Sequence, residues 1–236
     1  MSDEWMSMLE LRMEPDEFRR LPRNPAYRYT YFAGSAWLNP RPRYYHALLD
    51  LSSVGPETGA LNPVALRPVR PEDWEALGPV FASAFREQLP FGALDEERRL
   101  FAARKSLTQT RTGGDGPWVE QASFVAESGG PVGAVLVTLL PATDPTDWAS
   151  YHWQEPPPPD CVARRLGRPH LTWIFVTPAE SGRGVGTALL HAAADALRAL
   201  GYTELVTTFL LGNDSSMLWH WRAGFRLLSH PASRRK

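Results

Sequence analysis

From residue 64 onward, the chain alternates between short apolar runs and longer segments in which apolar residues recur every three or four positions. The runs at 64–69, 131–140, 171–176 and 205–211 predict strands, because apolar and β-branched or aromatic residues follow one another in them. Residues 133–140 are apolar almost throughout, which is typical of a central strand covered on both faces. The order of these elements predicts an α/β fold.

Helices are predicted at 71–85, 94–107, 182–199 and 213–223. In the second of these, we expect Leu100, Phe101 and Leu107 to face the core. Gly201 is placed to end the third helix, since glycine readily takes the left-handed conformation found there.

The segment before residue 62 has a different character. It predicts a short helix at 15–20, an aromatic hairpin at 27–38 and a further apolar run at 44–51. We therefore divide the chain into an N-terminal extension, 1–62, and a main domain, 63–236. Within the main domain, residues 141–169 form an insert rich in proline and tryptophan, and a connection of this length is usually a functional lid or disordered.

The composition bears on the compartment and on the kinds of partner, but it does not indicate a reaction. The 236 residues carry a net charge of −1, which gives no reason to expect a nucleic-acid partner. The lone cysteine, Cys161, excludes an internal disulfide and suits a reducing compartment. No apolar run approaches the ~20 residues of a membrane span, and residues 1–4 do not resemble a signal peptide. The expectation is a cytoplasmic protein with no membrane partner.

A glycine-rich loop lies between the strand ending at Val176 and the helix that follows. It reads Ser181-Gly182-Arg183-Gly184-Val185-Gly186, with Thr187 opening the helix. A helix N-terminus offers unpaired N–H donors, and glycines let that backbone approach a bulky anion. Arg183 adds a positive charge at the rim. The loop predicts a phosphate or diphosphate site, and the alternative is a tight turn that only starts the helix.

Two familiar phosphate motifs do not fit this loop. A P-loop requires Gly-Lys-Ser/Thr, which the sequence lacks. A dinucleotide fingerprint requires G-x-G-x-x-G directly after the strand, whereas here the third glycine comes one position early. A Rossmann-like nucleotide-binding protein is therefore a distant alternative.

The stretch from 171 to 190 resembles the signature of the GNAT superfamily of N-acyltransferases, an apolar strand followed by Gln/Arg-x-x-Gly-x-Gly/Ala and an amphipathic helix. This sequence departs from the pattern at Ser181, which stands at the Gln/Arg position. A second signature follows downstream: Asn213, Gly224 and Phe225 match the spacing of the family's last helix, and His220 occupies its tyrosine position. Two motifs in the right order are far more specific than one glycine loop.

The resemblance implies a mixed, twisted sheet that splays open between two parallel strands, 171–176 and 205–211. It implies that acetyl-CoA is the acyl donor, with no metal. The diphosphate would lie on residues 181–187, the pantetheine arm would pair with the backbone of Ile174, Phe175 and Val176, and Asn213 would complete the cofactor-binding set.

Acyl transfer from a thioester to an amine requires removal of a proton from the amine and a donor for the oxyanion, and the thiolate can also take a proton. By resemblance, His220 is the candidate acid toward the thiolate and a backbone N–H near Val176 the oxyanion donor. His170 stands eleven residues before Ser181, where the lysine-acetylating branch has a glutamate, and is the candidate base. His152 and Glu155 in the insert are weaker candidates. For both His220 and His170, the alternative is simple packing.

We therefore expect an N-acetyltransferase that acts on a small-molecule or peptide amine by direct attack in a ternary complex. Ser181 and His220 keep a second hypothesis open, a CoA-binding sensor or regulatory domain without catalysis. The family usually has a further strand after the Gly-Phe strand, and here the chain ends soon after Phe225. We hypothesise that the aromatic segment near 27–51 covers or extends the sheet, within the chain or across a homodimer.

Overall fold

The computed structural model describes residues 9–22, 27–40, 44–55, 64–142, 153–210 and 213–228. Ten strands and six α-helices lie in these ranges. The strands are β1 (Leu9–Arg12), β2 (Tyr27–Phe32), β3 (Ser35–Pro40), β4 (Tyr44–Asp50), β5 (Ala65–Pro68), β6 (Phe124–Glu127), β7 (Pro131–Pro141), β8 (Gly167–Val176), β9 (Glu204–Leu210) and β10 (Arg226–Leu227). The helices are α1 (Pro15–Arg20), α2 (Asp73–Ala84), α3 (Glu96–Arg111), α4 (Cys161–Arg164), α5 (Val185–Ala199) and α6 (Asp214–Arg222).

A mixed sheet of seven strands forms the centre of the molecule, in the order β10-β4-β9-β8-β7-β6-β5. Its neighbouring strands are antiparallel except for β8 and β9, which run parallel. The second sheet has the order β1-β3-β2 and is antiparallel. The predicted α/β class with a mixed sheet and flanking helices is confirmed.

Helices cover both faces of β7, as its continuous apolar run predicted. Leu136 belongs to an apolar cluster with Phe81 of α2 and Leu107 of α3. Val137, the next residue, belongs to a second cluster with Leu189 of α5. Because successive side chains of a strand point to opposite faces, α2 and α3 lie on one side of the sheet and α5 on the other.

The expected inward position of Phe101 on α3 is wrong, since this side chain is 67% exposed. The buried residues Ala103, Leu107 and Thr110 define the stripe of α3 that faces the core. Phe101 precedes Ala103 by two residues, about 200° around a helix with 3.6 residues per turn. The apolar side chain therefore points to solvent.

Strand β4 belongs to the seven-stranded sheet although it precedes residue 62 in the chain. It pairs antiparallel with β9 along its whole length, from Tyr44 opposite Leu210 to Asp50 opposite Glu204. Its other edge pairs with β10, with Leu48 opposite Arg226. The N-terminal part of the chain thus supplies the strand between β9 and the last strand.

The parallel strands β8 and β9 separate soon after they meet. Within the described residues they pair at two positions, His170 with Val206 and Leu171 with Thr207. Thr172 then forms a bulge, because Leu136 of β7 pairs with Trp173 and the next β7 residue pairs with Leu171. A bulge bends its strand and increases the local twist. We call the diverging segments, 172–176 and 208–210, the fork.

Among the described helices, none is long and apolar enough to cross a membrane.

Candidate active site

The loop at 181–187, called the cradle below, leads from the end of β8 into α5. Gly184 is the N-cap residue of α5 and has φ +84°, and Gly182 has φ +75°. Residues other than glycine rarely adopt such φ values, so the backbone path requires glycine at both positions. The Ala188 N–H donates to the Gly184 carbonyl at 2.9 Å. The amides of 184–187 precede this bond and are the donors that an α-helix leaves for an anion.

The side chains of the cradle differ in what they offer. Ser181 and Thr187 are exposed, whereas Val185 is buried in the core and anchors the helix start. Arg183 forms an ion pair with Glu180, with 3.0 Å between Nη1 and Oε2. The guanidinium remains 53% exposed and still adds positive charge at the rim, partly neutralised by Glu180.

Gly186 lies against the indole of Trp219 from α6. A Cβ built at Gly186 would meet Trp219 Nε1 at 3.5 Å, which is ordinary contact. The α6 helix therefore packs beside the start of α5.

The free edge of β8 faces the fork. The Thr177 N–H donates to the Val132 carbonyl of the β7 side at 2.8 Å. Backbone groups alternate along a strand, so Phe175 also points its backbone toward β7, while Ile174 and Val176 point theirs into the fork. The Phe175 side chain is buried among aromatic rings, 5.1 Å from the centroid of Phe81. Of the three predicted pantetheine partners, two present free backbone groups to the fork.

Asn213 caps α6, since its Oδ1 accepts from the Ser216 N–H at 3.0 Å. This local bond explains the asparagine at the start of the second signature. Asn213 is predicted as a cofactor-binding residue, and its side-chain oxygen is already engaged by the helix.

His220 is buried on the α5 side of the fork. Its Nδ1 lies 2.7 Å from the Ser216 carbonyl, which can only accept, so Nδ1 carries the proton. Its Nε2 lies 3.4 Å from Thr207 Oγ1. The ring stacks on Phe209 at 4.5 Å and contacts two further aromatic rings edge-on. Burial lowers the pKa of His220 to about 4, so the ring is neutral near pH 7.

His170 is buried on the opposite side of the sheet, where α2 and α3 lie. Its Nδ1 lies 3.1 Å from Thr172 Oγ1 and its Nε2 lies 3.2 Å from Thr208 Oγ1. Burial, followed by the charge of His46, lowers the pKa of His170 to about 3. The imidazole is neutral near pH 7 and bridges the two strands of the fork.

The hydroxyls around the two histidines were missed in the sequence. Thr207 and Thr208 interrupt the apolar run of β9, and Thr172 interrupts that of β8. These polar residues in otherwise apolar strands were the available signal. Of the weaker candidates, Glu155 is exposed and His152 lies outside the described residues. No group of three or more His, Cys, Asp or Glu side chains suited to a metal is found in the part of the chain that the structure describes.

Comparisons with known proteins agree with this geometry. A GCN5-related N-acetyltransferase from Sphaerobacter thermophilus superimposes with a TM-score of 0.52 at 15% identity, covering 94% of this chain and 56% of its own. A PaiA N-acetyltransferase from Thermoplasma acidophilum, solved in complex with coenzyme A, gives a TM-score of 0.51 at 13% identity, covering 73% and 95%. At these identities the likeness concerns the fold, and this chain spans just over half of the Sphaerobacter protein. A search of curated proteins found no match.

The family comparison is decisive because it covers most of the main domain. The model of the acetyltransferase (GNAT) family matches residues 74–225, which include the cradle, the fork and α6. That match extends over more than half of the 236 residues. The chain belongs to the acetyltransferase (GNAT) family.

Proposed function

We propose that the protein transfers an acetyl group from acetyl-CoA to a primary amine, by direct attack of the amine in a ternary complex. The observation that carries this proposal is the continuity of the cradle and the fork. A short connection, 177–184, leads from β8 to the amides at the start of α5, and the free edge of β8 at Ile174 and Val176 lines the opening. With a diphosphate on the cradle, the pantetheine arm would run along that edge toward the last β8–β9 pair, Leu171 with Thr207.

The cradle fits a diphosphate on its own geometry. A Cβ added to Gly182 would meet nothing within 4 Å, so an anion can approach the backbone of this residue closely. The positive end of the α5 dipole and the Arg183 guanidinium favour negative charge there. In the proposal, residues 181–187 hold the diphosphate, with Ser181 contributing chiefly through its backbone.

His220 and His170 have different prospects in the reaction. Because the Nδ1 proton of His220 is given to the Ser216 carbonyl, only the imidazolium could protonate a thiolate from Nε2. A pKa of about 4 makes that form scarce, which favours a role for His220 in packing α6 against the fork. His170 lies on the face of the sheet that α2 and α3 cover, and its neutral ring has a lone pair that can accept a proton, although a pKa of about 3 makes it a weaker base than a free imidazole. We propose His170 as the base.

Calorimetry with acetyl-CoA tests the proposal directly, and Gly184→Glu is the informative variant. A carboxylate at the N-cap of α5, in a residue with φ +84°, should weaken binding at least tenfold, about 1.4 kcal/mol. Gly129→Glu is the matched control, since Gly129 also has positive φ but lies in the turn between β6 and β7. Absence of acetyl-CoA binding by the unmodified protein would remove the basis of the proposal.

A second candidate is a CoA-binding regulatory module. The observation that favours it is the neutral, buried His220 at the position where many family members have tyrosine. Thiol release in the presence of spermidine, benzylamine and tetra-alanine separates the two candidates. Binding of acetyl-CoA without thiol release with any of these amines would favour the regulatory module.

A further inference from the structure

The imidazole of His170 joins a hydroxyl on each strand of the fork. Thr172 and Thr208 occupy the register position directly after the last β8–β9 pair, Leu171 with Thr207. Both threonines are half-buried, while the ring between them is 8% exposed. A buried base therefore contacts two half-buried hydroxyls, one on each strand where the fork begins.

The hydrogen bonds around His170 indicate which of its ring nitrogens carries the proton. Thr138 Oγ1 lies 2.9 Å from the Asp115 carbonyl, which can only accept, so Thr138 donates there. Thr172 Oγ1 lies 2.8 Å from Thr138 Oγ1 and 3.3 Å from the His170 carbonyl, and it has one proton to donate to either oxygen. With that proton used, Thr172 accepts from His170 Nδ1–H.

The remaining contact follows from the neutral ring. Since Nδ1 carries the proton, Nε2 has the lone pair, and the Thr208 hydroxyl donates to it over 3.2 Å. With Nδ1 protonated, four of the five contacts among these groups can be hydrogen bonds, whereas a protonated Nε2 allows three. Asp115, whose carbonyl accepts from Thr138, is itself held in place, because its carboxylate accepts from Gln109 and Thr110 at 2.6 and 2.7 Å.

We propose that Thr208 is a catalytic residue that passes the proton of the attacking amine to His170, an inference that rests on the proposed acetyl transfer. Its hydroxyl lies where the fork begins, directly after the last β8–β9 pair, and donates its proton to Nε2. A hydroxyl hydrogen-bonded to a base that is itself oriented by a third group is the arrangement by which enzymes draw the proton from a hydroxyl. Thr207, the preceding residue, points to the opposite face.

The step balances without a further reactant. The amine nitrogen bonds to the thioester carbonyl carbon and the carbon–sulfur bond breaks. The nitrogen's proton moves to Thr208 Oγ1 as the hydroxyl's own proton moves to His170 Nε2. Return of a proton along the same path to the departing sulfur gives the amide and the free thiol, and leaves Thr208 and His170 as they began.

Thr208→Val tests the relay, because valine keeps the shape and removes the hydroxyl. With acetyl-CoA and whichever amine of the panel turns over fastest, we expect kcat to fall at least tenfold while the Kd for acetyl-CoA stays within twofold. Thr208→Ser should restore most of the rate. The matched control is Thr203→Val, an exposed threonine just before β9 that should retain the full rate.

Nitrogen-15 NMR of the His170 ring supplies a readout independent of turnover. We expect Nδ1 to be protonated in the unmodified protein, and the Nε2 resonance to move in Thr208→Val and to stay in place in Thr203→Val. A protonated Nε2 would overturn the relay, as would a Thr208→Val enzyme with kcat within twofold of the original.

Failure of the relay can be told apart from failure of the proposed function. Normal turnover by Thr208→Val removes the relay and leaves the acetyl transfer intact. Binding of acetyl-CoA with no turnover of any amine removes both, and loss of acetyl-CoA binding removes the cofactor site itself.

Discussion

Two buried imidazoles lie on opposite faces of the fork, and each has a threonine of β9 beside it. His220 is next to Thr207 and His170 is next to Thr208. Adjacent residues of one strand point to opposite faces, so Thr207 contacts one ring and Thr208 contacts the other. At the residue scale, both histidines are neutral but their surroundings differ: three aromatic rings contact His220, whereas both ring nitrogens of His170 lie within 3.2 Å of threonine hydroxyls.

The buried neutral ring of His220 predicts a loss of stability in acid. The pKa of His220 falls from 6.5 in a free side chain to about 4 in the folded protein. Between these two pH values the imidazole is protonated in the unfolded chain and neutral in the folded chain. The stabilisation is therefore complete above about pH 6.5 and is lost as the pH falls toward 4. Between pH 7 and pH 5 the loss from this residue is about 2 kcal/mol.

Urea unfolding of the original protein and of His220→Phe at pH 7 and pH 5 measures this loss. Phenylalanine keeps the stacking on Phe209 and cannot titrate, so its stability should fall by about 2 kcal/mol less than that of the original over the same interval. Equal losses in both proteins would mean that His220 titrates as an exposed ring does.

At the scale of the element, two glycines at the start of α5 have different structural roles. Gly184 has φ +84° and sets the path of the chain into the helix. Gly186 lies within the first turn, and a Cβ there would meet only the indole of Trp219 at ordinary contact distance. The first position is fixed by backbone conformation, while the second tolerates a small side chain.

This difference predicts opposite effects of two alanine substitutions. Gly184→Ala should destabilise the protein by about 1–2 kcal/mol, because a left-handed residue with a Cβ is strained. Gly186→Ala should be neutral or stabilise by up to about 1 kcal/mol, because alanine is the better helix former. Chemical denaturation of the two variants side by side measures both effects, and equal destabilisation would contradict the assigned roles.

The cradle could be predicted from the sequence because its determinants are local: glycine spacing, the strand before it and the helix after it. The hydroxyl chain to Asp115 could not, because it depends on the bulge at Thr172 and on the pairing of β8 with two other strands. The same limit explains Phe101, whose apolar character suggested burial until the buried stripe of α3 showed where the helix faces.

At the scale of the whole molecule, the N-terminal strand β4 joins the half of the sheet that contains β9 and β8. Its pairing with β9 continues to Tyr44 opposite Leu210, and it covers an edge of the strand that carries Thr207 and Thr208. The sequence indicated that the segment near 27–51 could cover or extend the sheet, but it did not single out 44–50 or its position between β9 and β10. Register between distant strands is set by tertiary packing.

The strength of this connection can be measured at Leu49. Its side chain is fully buried in the apolar cluster that includes Leu205 of β9 and Leu189 of α5. Leu49→Ala should therefore destabilise the protein by about 2–5 kcal/mol, since it removes buried apolar surface and leaves a cavity. Leu9→Ala on β1, where the side chain is 47% exposed, should change stability by at most about 0.5 kcal/mol. Urea unfolding followed by tryptophan fluorescence compares the pair, and near-neutral behaviour of Leu49→Ala would show that the sheet holds together without β4.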